Sequence, residues 1–332
     1  MTNREPQAII PNIMSKTILS GVKPTGHPHI GNLFGMVLPA IELTRQNDDS
    51  FLFIANIHDL VKDRQALIDN TYEVAATLLA FGLDPNRTAF YRQSDVPEVF
   101  ELSSILMNFT AKGLMNRAHA YKAKVDADGN DDNVNMGLYT YPILQAADIL
   151  TMDTDLVPVG LDQKQHIEIA RDIASSFNAV YGDVLKLPEP SIRDAVGTVA
   201  GLDGRKMSKS YDNVISLFEP PEETLRKVMK IPTDSLPPDA PKSMDTALYK
   251  IMELFPATAA LRERYLAGGL GYGDAKKELG TAINEFLFAP RTRFTELTSD
   301  RSAIDKLLVE GAARARARAA ITMKRVKDAI GL

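Results

Sequence analysis

No cysteine occurs among the 332 residues. Disulfides, thiolate-ligated metals and iron–sulfur clusters are thereby excluded, and the absence fits a reducing compartment. Tryptophan is missing too, although the chain has 10 tyrosines and 13 phenylalanines; chance accounts for that in one chain of this size. There is no excess of positive charge: the formal net charge is −5. The protein as a whole is not a basic nucleic-acid coat, so any RNA contact must come from a local basic patch. No apolar run approaches membrane-spanning length, and the N-terminus carries no signal-peptide pattern. The expectation is a cytoplasmic protein with no membrane and no DNA partner.

What is present is 45% hydrophobic and 24% charged, enough for one large domain with a smaller one attached. Residues 1–15 lack a period, contain two prolines, and read as a flexible tail. Apolar runs at 17–22, 51–56, 88–93 and 156–160 alternate with helical patterns. That alternation predicts an α/β fold with a doubly wound parallel sheet. In the helix after Asn32, Pro39 falls inside the apolar period of Phe34, Val37, Leu38 and Ile41 and predicts a kink or break. Further helices are expected over 71–82, 98–120 and 137–150, with a solvated loop over 124–135. Asp162, Gln163 and His166 open the next helix. Past residue 215 the composition shifts to a Pro-, Glu- and Asp-rich connection and then to helical periods. The expected division is an α/β domain over 16–215 and a smaller all-helical C-terminal region over 216–332. Its last helix, about 302–330, sets Ala312, Ala315, Ala319 and Met323 on one face, with Arg314, Arg316 and Arg318 elsewhere. Such a helix either packs back on the main domain or meets an RNA backbone.

Two stretches carry chemistry. Residues 19–35, LSGVKPTGHPHIGNLFG, read as strand, tight loop and helix N-terminus. This geometry aims backbone N–H groups and the positive helix end at an anion. Gly26 and Gly31 allow close approach of the backbone, and His29 and Asn32 can donate to phosphate oxygens. Residues 206–210 read Lys-Met-Ser-Lys-Ser, two cations on a loop. Elsewhere, Tyr141, Gln145 and Asp148 share one face of an otherwise apolar helix, which predicts a pocket lining. His58 and Asp59 follow the 51–56 strand, at the edge where open α/β sheets bind ligands.

The pair HIGN and KMSKS resembles the class I aminoacyl-tRNA synthetases, in which the two motifs close over ATP. Within that class, YPILQAADIL at 141–150 and VPVGLDQKQHIEIARDIASSFN at 157–178 are similar to the tryptophanyl-tRNA synthetase family of bacterial and organellar type. The resemblance spans roughly residues 17–330 and implies a Rossmann-like catalytic domain, ATP and Mg²⁺, L-tryptophan and tRNA(Trp) as partners, and a homodimer. It implies that Lys23, Pro24, Thr25, Gly31, Asn32, Gly160, Leu161, Asp162 and Val199 line the ATP site with Lys206, Met207, Ser208, Lys209 and Ser210. His29, Asn32, Lys206 and Lys209 would be catalytic, and no metal would be held by the protein itself. Leu19, His58, Tyr141, Gln145, Asp148 and Gln163 would line the tryptophan pocket, with Asp148 accepting the indole N–H. Departures from the family pattern are Lys23, where Gln is common, Leu161, where Glu is common, and Gln145, a residue of tyrosyl type. A tyrosyl-specific ligase is therefore the runner-up. Against it stand Leu19 in place of the tyrosyl family's Tyr, the 157–166 segment, and the missing C-terminal RNA-binding extension. A small nucleotidyltransferase and a non-catalytic RNA-binding derivative fit less well, because both motifs are intact and a helical C-terminal region is present.

Overall fold

A computed structural model describes residues 16–47, 49–58, 63–131, 134–160, 163–192 and 199–332. Five strands, β1 (Ile18–Val22), β2 (Ser50–Ile54), β3 (Thr88–Arg92), β4 (Leu156–Val159) and β5 (Glu189–Ile192), form one parallel sheet in the order β3-β2-β1-β4-β5. The chain runs outward from β1 to β3 and then returns to place β4 on the other side of β1. The strand order thus reverses between β1 and β4, and a crevice opens there at the carboxyl ends of the strands.

Successive side chains on a strand face opposite sides. Leu52, Ile54 and Phe90 therefore join a core with Ile30, Leu33 and the C-terminal helices. Phe51, Phe53 and Tyr91 join the second core, with Ala147 and Ile173. The first core continues without a break from Val22 to Val228, Leu248 and Leu279. The 215/216 division therefore has apolar packing across it, and the Leu217 amide ties it further, donating to the Pro28 carbonyl at 3.0 Å. Two domains with these bounds remain our proposal.

The last helix, Arg301–Ile330, crosses the edge strand β3. It inserts Ile304 and Leu308 into the first core and Ala315, Ala319 and Met323 into the second. At the crossing, a Cβ on Gly311 would stand 1.8 Å from the Phe90 carbonyl oxygen, so only glycine fits. The helix covers an edge that would otherwise be open to pairing. Its arginines serve this docking. Arg314 donates to the carbonyls of Pro85, Asn86 and Thr88, Arg316 meets Glu98 at 3.0 Å, and Arg318 meets Asp49 at 2.8 Å. Of the two readings of this helix, the structure favours the packed one.

Several sequence expectations need adjustment. Pro39 sits in the first turn of Leu38–Gln46, after a π-helical turn at Leu33–Val37, so the break precedes it. The helix expected over 98–120 is broken into Glu98–Leu106, a 3₁₀ turn and two short helices. Asn108 and Thr110 side chains bind the carbonyls of Ser104, Ile105 and Leu106 and compete with further helix. The expected loop at 124–135 begins late. Residues up to Asp128 continue the helix from His119, until Gly129 at φ +77 ends it by donating to the Val125 carbonyl. The helix expected from 71 starts at Arg64, because Asp63 Oδ1 accepts from the amides of Gln65 and Ala66. Among the described residues no helix is long and apolar enough to cross a membrane. The expected tail at 1–15, Asp59, Leu161 and Asp162 lie outside the described residues.

Candidate active site

Strand β1 delivers the first loop to the crevice. Its turn is left-handed at Gly26 (φ +63) and His27 (φ +43). His29 then caps the short helix Ile30–Asn32: its Nδ1 accepts from the Asn32 amide at 3.3 Å, while Asn32 Oδ1 accepts from the His29 amide at 3.1 Å. This reciprocal box satisfies two helix-end donors. Because Nδ1 accepts, a neutral His29 carries its proton on Nε2. Burial, aided by the charge of Lys209, lowers the His29 pKa to about 4.

The second motif lies directly on the first. The Gly31 amide donates to the Met207 sulfur at 3.2 Å, and the Met207 amide to the Val199 carbonyl at 2.9 Å. A Cβ on Gly31 would stand 2.9 Å from the His29 ring, so the close approach requires glycine. Lys209 Nζ donates to the Thr25 carbonyl at 3.2 Å and to the Gly26 carbonyl. Burial lowers the Lys209 pKa, and the charge of Glu73 acts against that shift. Buried Asn213 holds the loop. Its amide donates to Asp203 at 2.7 Å and to the Lys206 carbonyl at 3.0 Å, and its Oδ1 accepts from the Ser208 amide at 2.8 Å. Sequence reasoning missed Asn213; it follows the second motif by only three residues. Lys23, Thr25, Lys206 and Ser210 are exposed around this seam, Pro24 is buried, and exposed Gly160 ends the neighbouring strand.

On the other side of β1 a buried polar cluster forms. Asp148, on the helix Met136–Thr151, is 2% exposed. His58 Nε2 lies 2.8 Å from its Oδ2, and the Gln93 amide nitrogen lies 2.9 Å from both oxygens. Gln93 is oriented by its own Oε1, which accepts from the Ile57 amide at 3.2 Å. Burial raises the Asp148 pKa, while His58 and Gln93 oppose the rise. Gln93 was not foreseen. Its position just past the carboxyl end of β3 is the signal that would have found it. A second chain of contacts runs from the Tyr141 hydroxyl to His166 Nε2 at 2.5 Å and from His166 Nδ1 to Gln163 Oε1 at 2.7 Å. Tyr141 also stands edge-on to the His58 ring, with centroids 6.5 Å apart.

Of the residues expected in this pocket, the structure brings together His58, Asp148 and Tyr141, and links Tyr141 to Gln163. Gln145 shares their helix, half-buried, and its side chain makes no hydrogen bond among the described residues. Leu19 is 1% exposed and packs in the core with Phe51 and Ile143.

The two loops therefore meet along one seam, and a buried carboxylate with His58 and Gln93 as partners lies on the helix Met136–Thr151. Known proteins resemble this chain in sequence and fold. The profile of the tRNA synthetases class I (W and Y) matches residues 14–288. The tryptophan–tRNA ligase of Neisseria meningitidis is 48% identical over 329 residues, which cover 96% of this chain and 98% of that protein. The ligase of the same name from Bordetella parapertussis is 46% identical over 333 residues, covering 96% and 74%. The solved tryptophanyl-tRNA synthetase from Campylobacter jejuni, complexed with ADP and tryptophan, superposes with a TM-score of 0.86 at 40% identity, covering 95% of this chain and all of that one.

Proposed function

The chain belongs to the class I tRNA synthetases of tryptophan and tyrosine, and we infer from that footing that it activates L-tryptophan with ATP and transfers it to tRNA(Trp). The tryptophan carboxylate attacks the α-phosphorus of ATP as the bond to pyrophosphate breaks. A hydroxyl of the terminal tRNA ribose then attacks the activated carbonyl, and AMP leaves. Displacement at phosphorus asks for in-line positioning and charge stabilisation more than for acid–base chemistry. The observation that carries this reading is the seam of the two loops, where Lys209 Nζ meets the Thr25 and Gly26 carbonyls and Met207 lies on Gly31.

In this proposal Lys206 and Lys209 neutralise charge growing on the pyrophosphate. His29, neutral with Nε2–H free to donate, and Asn32 hold phosphate oxygens. The remaining first-loop residues, with Gly160, Leu161, Asp162 and Val199, surround the nucleotide. Asp148 accepts the indole N–H, with His58 and Gln93 fixing its orientation; rejection of substrates lacking that donor follows, since the carboxylate would lose a partner. The Tyr141 hydroxyl, 2.5 Å from His166 Nε2, offers a lone pair to the substrate ammonium.

Mg²⁺ is proposed to arrive on the ATP phosphates, which supply oxygen ligands of their own. Among the described residues no group of three or more His, Asp or Glu side chains stands ready to cage a metal. A homodimer is proposed from the family resemblance, and a cytoplasmic setting from that resemblance together with the lack of cysteine.

The test is ATP–pyrophosphate exchange with each aromatic amino acid. Exchange should depend on tryptophan and be negligible with tyrosine or phenylalanine. Equal exchange with tyrosine would transfer the assignment to the tyrosyl branch.

A further inference from the structure

Resting on the assignment of ATP to the first loop, we infer that Glu73 is a positioning residue for ATP binding: it holds the Gly26–His27 turn in the shape that seats Lys209. Glu73 lies on the helix Arg64–Ala80, outside both motifs, and its side chain is 19% exposed. Its Oε2 accepts from the His27 amide at 2.8 Å, and its Oε1 lies 3.3 Å from His27 Nδ1. The imidazole is 84% exposed, so the ring contact is weak and the amide contact matters more.

The turn needs such a tether. His27 holds φ +43, a conformation that a side chain bearing a Cβ adopts only under constraint. One helical turn before Glu73, Asn70 packs beneath Gly26 so closely that a Cβ there would stand 2.2 Å from its Oδ1. Asn70 thus sets the floor of the turn and Glu73 ties down its far end. With residues 26 and 27 both left-handed, the Thr25 and Gly26 carbonyls converge on one ammonium, that of Lys209. The Glu73 charge also acts on Lys209 through space. Without the tether, His27 relaxes to ordinary φ, the two carbonyls diverge, and Lys209 loses its seat against the nucleotide loop.

Steady-state pyrophosphate exchange of the full chain tests this. Glu73→Ala should raise KM for ATP about tenfold and leave KM for tryptophan within about twofold of the parent. Glu73→Gln, which keeps an acceptor for the His27 amide, should fall between. Because glycine takes positive φ without strain, adding His27→Gly to Glu73→Ala should bring KM for ATP back to within about threefold of the parent. An unchanged KM for ATP in Glu73→Ala, a parallel rise in KM for tryptophan, or a double variant no better than Glu73→Ala overturns the inference. A parent enzyme without tryptophan-dependent exchange would instead refute the proposed function.

Discussion

His58 Nε2 and Asp148 Oδ2 are 2.8 Å apart, and their side chains are 9% and 3% exposed. A carboxylate so deep keeps its charge only where donors converge on it. Here they come from the ends of β2 and β3, through His58 and Gln93. The substrate indole is thus the third proposed donor to an acid that two side chains already orient.

Asp148→Asn should preserve the fold and weaken tryptophan binding by about 1–3 kcal/mol. The chain has no tryptophan of its own, so the ligand's indole fluorescence reports binding without background. A benzothiophene analogue, lacking the N–H, should bind the parent poorly and lose less on mutation. Effects that simply add around this cycle would mean that Asp148 does not touch the indole nitrogen.

Gln93→Leu removes one donor from the buried acid and leaves His58 as its remaining partner. Stability should drop by about 1–3 kcal/mol, read from denaturant midpoints. No loss of stability would mean that the amide contributes nothing to keeping the carboxylate charged.

Lys209→Ala should slow adenylate formation by about 3–4 kcal/mol in activation free energy while tryptophan affinity holds. Rapid-quench measurement of the first turnover separates the two. If affinity collapsed and the rate survived, the second loop would be a binding element instead.

His29 gives a pH dependence. Its folded pKa is about 4 against 6.5 for the free side chain. Between those values the unfolded chain binds more protons, so stability falls as pH drops from about 6.5 towards 4, by at most about 3 kcal/mol from this group. His29→Asn keeps a capping side chain without titrating and should flatten that stretch of the stability profile. An identical slope in parent and variant would remove His29 as its source.

The C-terminal arginines should matter for docking rather than for tRNA. Arg318→Ala leaves the Asp49 carboxylate with Thr17 Oγ1 as its side-chain partner among the described residues and should cost about 1 kcal/mol of stability. The salt dependence of tRNA binding should be unchanged. A loss of about one unit of log–log slope per arginine would restore the phosphate-contact role.

The sequence by itself determined the parallel sheet and both nucleotide motifs. Continuous apolar strands and a strand–turn–helix are local patterns, and they survive folding because every neighbour reinforces them. It also placed Tyr141 and Asp148 on one helix face, since helical periodicity spans only a few residues. Tertiary structure decided which groups answer each other across the fold. Asp148 finds His58 and Gln93 at sequence separations of 90 and 55, through the register of β2 and β3, which no local pattern encodes. The same holds for Glu73 beneath His27, and for Gly311, whose missing side chain has meaning only against the Phe90 backbone. The arginines of the last helix read as a basic surface while only their own helix was in view. Packed against β3, they became donors to Thr88, Glu98 and Asp49, because burying a helix face brings its flanking charges to whatever acceptors line the groove.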